Sequence, residues 1–251
     1  NKQIRRLLIY NSVLPDSSDK LDLSSYTEIY SLSLVNLGLK EVTGLENMSS
    51  LWELSLDDNN LTAVPKLSKD ADALSSLWLQ GNQISDISAL AEINANAPLT
   101  TIYLQNNCIT DLSALTKSAA MKEHLNLFDC SNNKLKSLPD FSGFANLETL
   151  MLQSNQLETL EGANLQTLTL RSLNLSDNKL TRETVIGFVP EKFSADIDWL
   201  ARATSTLIKY SPVSYPETVY TWLNSELIAS NLDSRLNGTG DIYLSYTTCA
   251  D

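Results

Sequence analysis

Apolar and polar residues alternate along this chain in one recurring order: apolar, two variable, apolar, variable, apolar, two variable, asparagine, variable, apolar. Six segments fit that template: 51–61 (LWELSLDDNNL), 74–84 (LSSLWLQGNQI), 99–109 (LTTIYLQNNCI), 125–135 (LNLFDCSNNKL), 147–157 (LETLMLQSNQL) and 170–180 (LRSLNLSDNKL). The asparagines Asn59, Asn82, Asn107, Asn133, Asn155 and Asn178 follow one another at steps of 23, 25, 26, 22 and 23. A seventh segment, 29–39 (IYSLSLVNLGL), keeps the apolar positions but carries Leu37 in the asparagine slot. Repetition at this period predicts stacked supersecondary units, each unable to bury its apolar face alone.

The apolar–variable–apolar core of each unit predicts a short, half-buried strand. The asparagine falls where the chain must turn out of that strand. Its amide can donate to and accept from backbone groups that the turn leaves unpaired, so stacked copies should form a ladder. Leu37 cannot do this, and the 29–39 unit is expected to turn differently. Beyond each asparagine lie further apolar anchors: Ile87 and Leu90, Leu112 and Leu115, and Leu138. Segments 84–90 (ISDISAL) and 109–115 (ITDLSAL) suit short convex helices or 3-10 turns, N-capped by Ser or Asp. At a strand spacing of about 4.8 Å, seven strands make a sheet roughly 30 Å across.

These repeats resemble the leucine-rich repeat family over about residues 29–187. Their length and the ISDISAL-type segments look most like internalin-type and phosphatase-regulator-type arrays, while 135–139 (LKSLP) is closer to other bacterial repeats. The resemblance implies an α/β fold, a right-handed solenoid with a concave parallel sheet that recognises proteins. It implies no catalytic residue.

Residues 1–28 show no repeat by this criterion. Leu7, Leu8, Ile9 and Tyr10 form an apolar run, followed by a polar stretch with Pro15, Asp16 and Asp19, suited to an N-terminal cap. Residues 188–251 change character. Ser194 can cap a helix bearing Ile197, Leu200 and Leu207, and a second helix is expected over 217–236, ended by Asn237 and Gly238. Residues 241–246 (DIYLSY) alternate like a strand. This region is expected to be a C-terminal cap, the alternative being the start of a further domain. The sequence opens without a start methionine or signal peptide, as expected of a processed or engineered fragment.

Charge narrows the partners. A net charge of −12 repels nucleic acid and anionic membrane surfaces, and favours a partner with a basic patch, although acidity also serves solubility. No apolar run approaches the roughly 20 residues that cross a bilayer. Cys108, Cys130 and Cys249 make no disulfide framework and lack metal-ligand spacing; Cys130 reads as a small core residue. Secreted animal leucine-rich repeat proteins usually carry cysteine-rich caps, a departure that favours a bacterial surface protein or a cytosolic one.

The variable positions of each strand face away from the core and define a concave face. Its middle column reads Ser33, Ser55, Trp78, Tyr103, Asp129, Met151 and Asn174. Trp78 and Tyr103 beside polar residues suit a binding hot spot; alternatively, the two rings pack across strands and only stabilise the sheet. Flanking positions hold Glu53, Asp57, Asp58, Gln80, Gln105, Asn106, Asn132, Gln153 and Asp177, able to hydrogen-bond a peptide, a loop or a glycan. Asp57 and Asp58 suit a Lys- or Arg-bearing partner, but the six to eight oxygens of a calcium site do not occur at loop spacing. His124, the single histidine, has no nucleophile–carboxylate context, and phosphate loops and hydrolase motifs are missing. Sequons at Asn47, Asn60, Asn174 and Asn237 are expected by chance in an Asn- and Ser-rich chain. The expectation is thus a non-enzymatic module without cofactor or metal that binds protein, or alternatively a glycan. A bacterial secreted or surface location is expected, with a cytosolic scaffold docking an enzyme as the alternative.

Overall fold

A computed structural model describes residues 4–14, 18–175, 177–180, 208–209 and 241–244. Eight strands stack in chain order into one parallel sheet: β1 (Arg6–Tyr10), β3 (Ser31–Val35), β5 (Glu53–Ser55), β6 (Ser76–Trp78), β7 (Thr101–Tyr103), β8 (Leu127–Asp129), β9 (Thr149–Met151) and β10 (Ser172–Asn174). Beyond β10 the sheet gains β12 (Asp241–Leu244), parallel to it, and then β11 (Ile208–Lys209), antiparallel at the edge. A small parallel pair, β2 (Lys20–Asp22) with β4 (Glu41–Thr43), lies apart. The helices expected within 188–240, and Pro15 and Asp16, fall outside the described residues.

Register follows the template. The central strand positions Leu32, Leu54, Leu77, Ile102, Phe128, Leu150 and Leu173 are paired one to the next and buried, while their strand neighbours, except the buried Ser31, are half-exposed. The anchors Ile87, Leu90, Leu112, Leu115 and Leu138 close the same core from the other side. Cys130 is fully buried in it, and burial pushes its thiol well above the usual range.

The asparagines are buried, and their hydrogen bonds repeat from unit to unit. Asn107 Nδ2 donates to Leu79 O of the preceding repeat at 3.0 Å and to Leu104 O of its own, also at 3.0 Å. Its Oδ1 accepts from Ile84 N at 2.8 Å. Asn82, Asn133, Asn155 and Asn178 do the same for Leu61, Ile109, Leu135 and Leu157 N, and Asn59 accepts from both Leu37 and Leu39 N. Each side chain therefore ties its own turn to the turn before it.

The bend itself falls one residue earlier. Asn11, Asn36, Asp58, Gly81, Asn106, Asn132, Ser154 and Asp177 all have φ between 50 and 68°, the left-handed region that Asn, Asp and Gly tolerate best. Gly81 is further constrained, since a Cβ there would meet the Asp58 carboxylate at 2.1 Å. In the 29–39 unit, Asn36 bends as elsewhere, but Gly38 adds a second left-handed residue at φ 72°. The different turn at Leu37 is thus local to one residue.

Two expectations are corrected. Residues 4–14 do not lack the repeat: β1 pairs with β3 so that Leu7 meets Leu32 and Ile9 meets Leu34. The segment 4–14 (IRRLLIYNSVL) fills every apolar template position, with Ser12 in the asparagine slot. The convex turns Ser88–Glu92 and Leu115–Lys117 are 3-10 helices whose N-cap positions hold Ile87 and Ala114. The aspartates act just upstream, Asp86 and Asp111 accepting from Ser88 N and Ser113 N. Ser118 caps the short helix α1 (Ala119–His124).

Replacing Asn107 by Ala would strand the buried Ile84 N–H, while Leu79 O and Leu104 O would each keep one donor, from Asn82 and Asn133. Chemical denaturation followed by circular dichroism should show a loss of about 1–3 kcal/mol. An unchanged midpoint would mean that the ladder contributes nothing to stability.

Candidate functional site: the concave face

The middle column is continuous in space: Leu8, Ser33, Ser55, Trp78, Tyr103, Asp129, Met151 and Asn174 are register partners one after another. Trp78 and Tyr103 are thereby adjacent, but both are half-buried, because a concave sheet crowds its own side chains. Among the described residues the two rings that meet are Phe141 and Phe144 in the core, with centroids 5.2 Å apart, so Trp78 and Tyr103 stand side by side without stacking. Met151 is likewise half-buried. The Asp129 carboxylate is occupied locally, accepting from Ser131 N at 2.9 Å and Ser131 Oγ at 2.7 Å.

Large apolar side chains that are well exposed gather elsewhere. Among the described residues they are Ile4, Leu8, Tyr10, Val13, Tyr30 and Trp52, all belonging to the first three units of the stack. Tyr30 and Trp52 precede neighbouring strands, with Trp52 N donating to Tyr30 O at 2.8 Å. The signal that finds Leu8 and Tyr10 is the template extended back to residue 4.

Between these apolar rims the central columns hold serine. Leu8 and Tyr10 on one side and Trp78 on the other flank Ser33 and Ser55, opening a hollow of about 400 Å³. Arg6, Glu53 and Asp57 also line it. Glu53 accepts a hydrogen bond from Ser31 Oγ, and Asp57 Oδ2 accepts one from Ser55 Oγ at 2.9 Å. Asp57 Oδ1 has no donor although it is closed off from solvent. The same holds for the Oε1 atoms of Gln80, Gln105 and Gln153, which occupy the same column further along the stack. Asp58 is exposed and sits at the bend, so backbone geometry alone accounts for an Asp there.

Burial pushes the Asp57 carboxyl up to about 6, reinforced by the neighbouring Asp58 charge and opposed by the Ser55 hydroxyl. No group of three or more His, Cys, Asp or Glu side chains that could hold a metal occurs among the described residues. His124 ends α1, half-buried.

A family model described as leucine rich repeats (2 copies) matches residues 72–117, and a leucine rich repeat model matches 169–193. The chain is a leucine-rich repeat protein. Its solenoid resembles the crystal structure of an internalin from Listeria monocytogenes at 28% identity, with a TM-score of 0.51, covering 65% of this chain and 46% of that one. The human leucine-rich repeats and immunoglobulin-like domains protein 1 is 30% identical over 176 residues, 66% of this chain and 13% of the relative. Bovine leucine-rich repeat-containing protein 23 is 42% identical over 55 residues, 22% of this chain and 16% of the relative. The leucine-rich repeat chain spans less than a fifth of the length of either curated relative.

Asp57 has a clear pH signature. The fold holds its proton up to about pH 6, whereas the unfolded chain releases it near 3.8. Its raised value therefore favours the fold at low pH, and that advantage is lost as pH rises from about 4 to 6. Asp57→Asn, at a partly exposed site, should melt roughly 2–4 °C above the parent at pH 7 and level with it at pH 4. Equal melting temperatures at both pH values would show that the carboxylate is not desolvated.

Proposed function

We propose that this protein is a non-catalytic recognition module that binds a protein partner on its concave face, and that it acts as a bacterial secreted or surface-displayed protein. The observation that carries the binding reading is the continuous column from Leu8 to Tyr103, in which aromatic and apolar side chains flank a polar hollow. Hot spots are enriched in such aromatic anchors, set in pockets from which water is excluded. A standard interface needs about 800 Å² from each partner, an area that eight strands supply. The net charge of −12 favours a partner with a basic patch.

Support for a bacterial surface setting comes from the likeness to the Listeria internalin, which covers about half of that structure. Among the described residues no helix is long and apolar enough to cross a membrane. A signal peptide or wall anchor in the full reading frame would support display, and an intracellular product would overturn it.

Affinity capture tests the binding face. The parent chain and a convex control, Lys117→Ala, should retain the same identified protein, while Trp78→Ala/Tyr103→Ala should weaken its binding by about tenfold or more. Equal affinity of the double variant would overturn the concave assignment.

A further inference from the structure

We infer that the serine-floored hollow at the N-terminal end of the concave face is a subsite for one lysine side chain of the protein partner. The inference rests on the concave-face reading and deepens it by naming the chemistry of one contact.

Three observations converge on an alkyl ammonium. The first is shape. Ser33 and Ser55 remove bulk from the column exactly between larger neighbours, leaving about 400 Å³ walled by Leu8, Tyr10 and Trp78. A lysine stem of four methylenes is apolar and packs against such walls while its head seeks a polar group. Trp78 and Tyr10 are also aromatic residues of the kind that attract a cation.

The second is the hydrogen-bond account. Asp57 lines the hollow with one oxygen held by Ser55 and the other without any donor in the chain. A carboxylate so short of donors is costly when ionised, and a cation seated beside it in the hollow offsets that cost. With Oδ1 closed off, the two-oxygen fork that a guanidinium prefers is not presented, whereas an ammonium needs one acceptor, Oδ2, and can turn its remaining hydrogens to serine hydroxyls.

The third is charge. The ionisable groups lining the hollow are Arg6, Glu53 and Asp57, with Asp58 next in sequence at the bend. Arg6 is an exposed residue on the edge strand β1, and Glu53 stands two strands away in the same column. Two carboxylates against one guanidinium leave the hollow negative. A carboxylate or phosphate ligand would therefore meet net repulsion, and a neutral apolar side chain would leave the Asp57 charge uncompensated. Burial of Asp57 also predicts that occupancy requires its ionised form and so fades below about pH 6.

The test uses the whole isotope-labelled chain and N-acetyl-lysine methylamide as the probe, followed by nuclear magnetic resonance at pH 7. Saturable shifts are expected at the Trp78 indole and along β3 and β5. The norleucine counterpart, with the same four-carbon stem and no ammonium, should bind at least about tenfold more weakly. Asp57→Asn, expected to fold at least as well as the parent, should weaken the lysine probe by a similar factor, and so should lowering the pH to 5. Equal binding of norleucine and lysine, equal binding by Asp57→Asn, tighter binding of the arginine counterpart, or no saturable shift would each overturn the inference. Failure here together with lost partner capture by Trp78→Ala/Tyr103→Ala would leave the concave reading standing. Lysine binding together with unimpaired capture by that variant would do the reverse.

Discussion

Everything in this solenoid depends on a buried side-chain amide that satisfies two successive turns at once. A strand of three residues has too little backbone to hold its own place, and a turn that sharp leaves peptide groups unpaired inside an apolar core. Asn82, Asn107, Asn133, Asn155 and Asn178 each donate to a carbonyl in their own turn and to one in the turn before, and accept an N–H beyond the preceding asparagine slot. The interaction fixes register as well as stability. Once neighbouring turns are tied together, the strands between them must pair without slippage, and alternate side chains must emerge on the concave side.

That constraint is also why a binding face can be read as columns. Each concave position has a neighbour at the same place in the next strand, so residue choice at one position shapes a surface rather than a point. Serine at two successive places, with tryptophan after and leucine before, makes a hollow. An acidic residue at the next column's corresponding place puts a carboxylate against it. The scaffold carries the core energetics, which leaves the variable positions free to hold groups that destabilise the fold, Asp57 among them. Such a group is what recognition sites commonly contain.

Much of the architecture was legible because asparagine and leucine at fixed spacing admit few physical readings. The ladder, the strand positions and the middle column follow directly from the template. Residues 4–14 escaped because Ser12 occupies the slot that the asparagine period uses as its marker, although Ile4, Leu7, Ile9 and Leu14 keep the apolar rhythm. The half-burial of Trp78 and Tyr103 was not legible, since curvature and neighbouring columns set it. Asp57 was visible as an acidic position, but its orphan oxygen depends on Ser55 and on the packing around it. Asp58, equally visible, owes its place to a left-handed bend that spacing alone does not distinguish from a binding role.

Hydrogen–deuterium exchange of the chain, free and loaded with its captured partner, tests the central claim most directly. In the free chain the amides of Leu61, Ile84, Ile109, Leu135 and Leu157, which donate to ladder asparagines, should exchange as slowly as the core strands. On loading, new protection should fall on the segments that carry the concave face, from β1 to β7, and leave the convex turns at Ser88–Glu92 and Leu115–Lys117 unchanged. Fast exchange at the ladder amides, or new protection on the convex turns instead, would contradict the account.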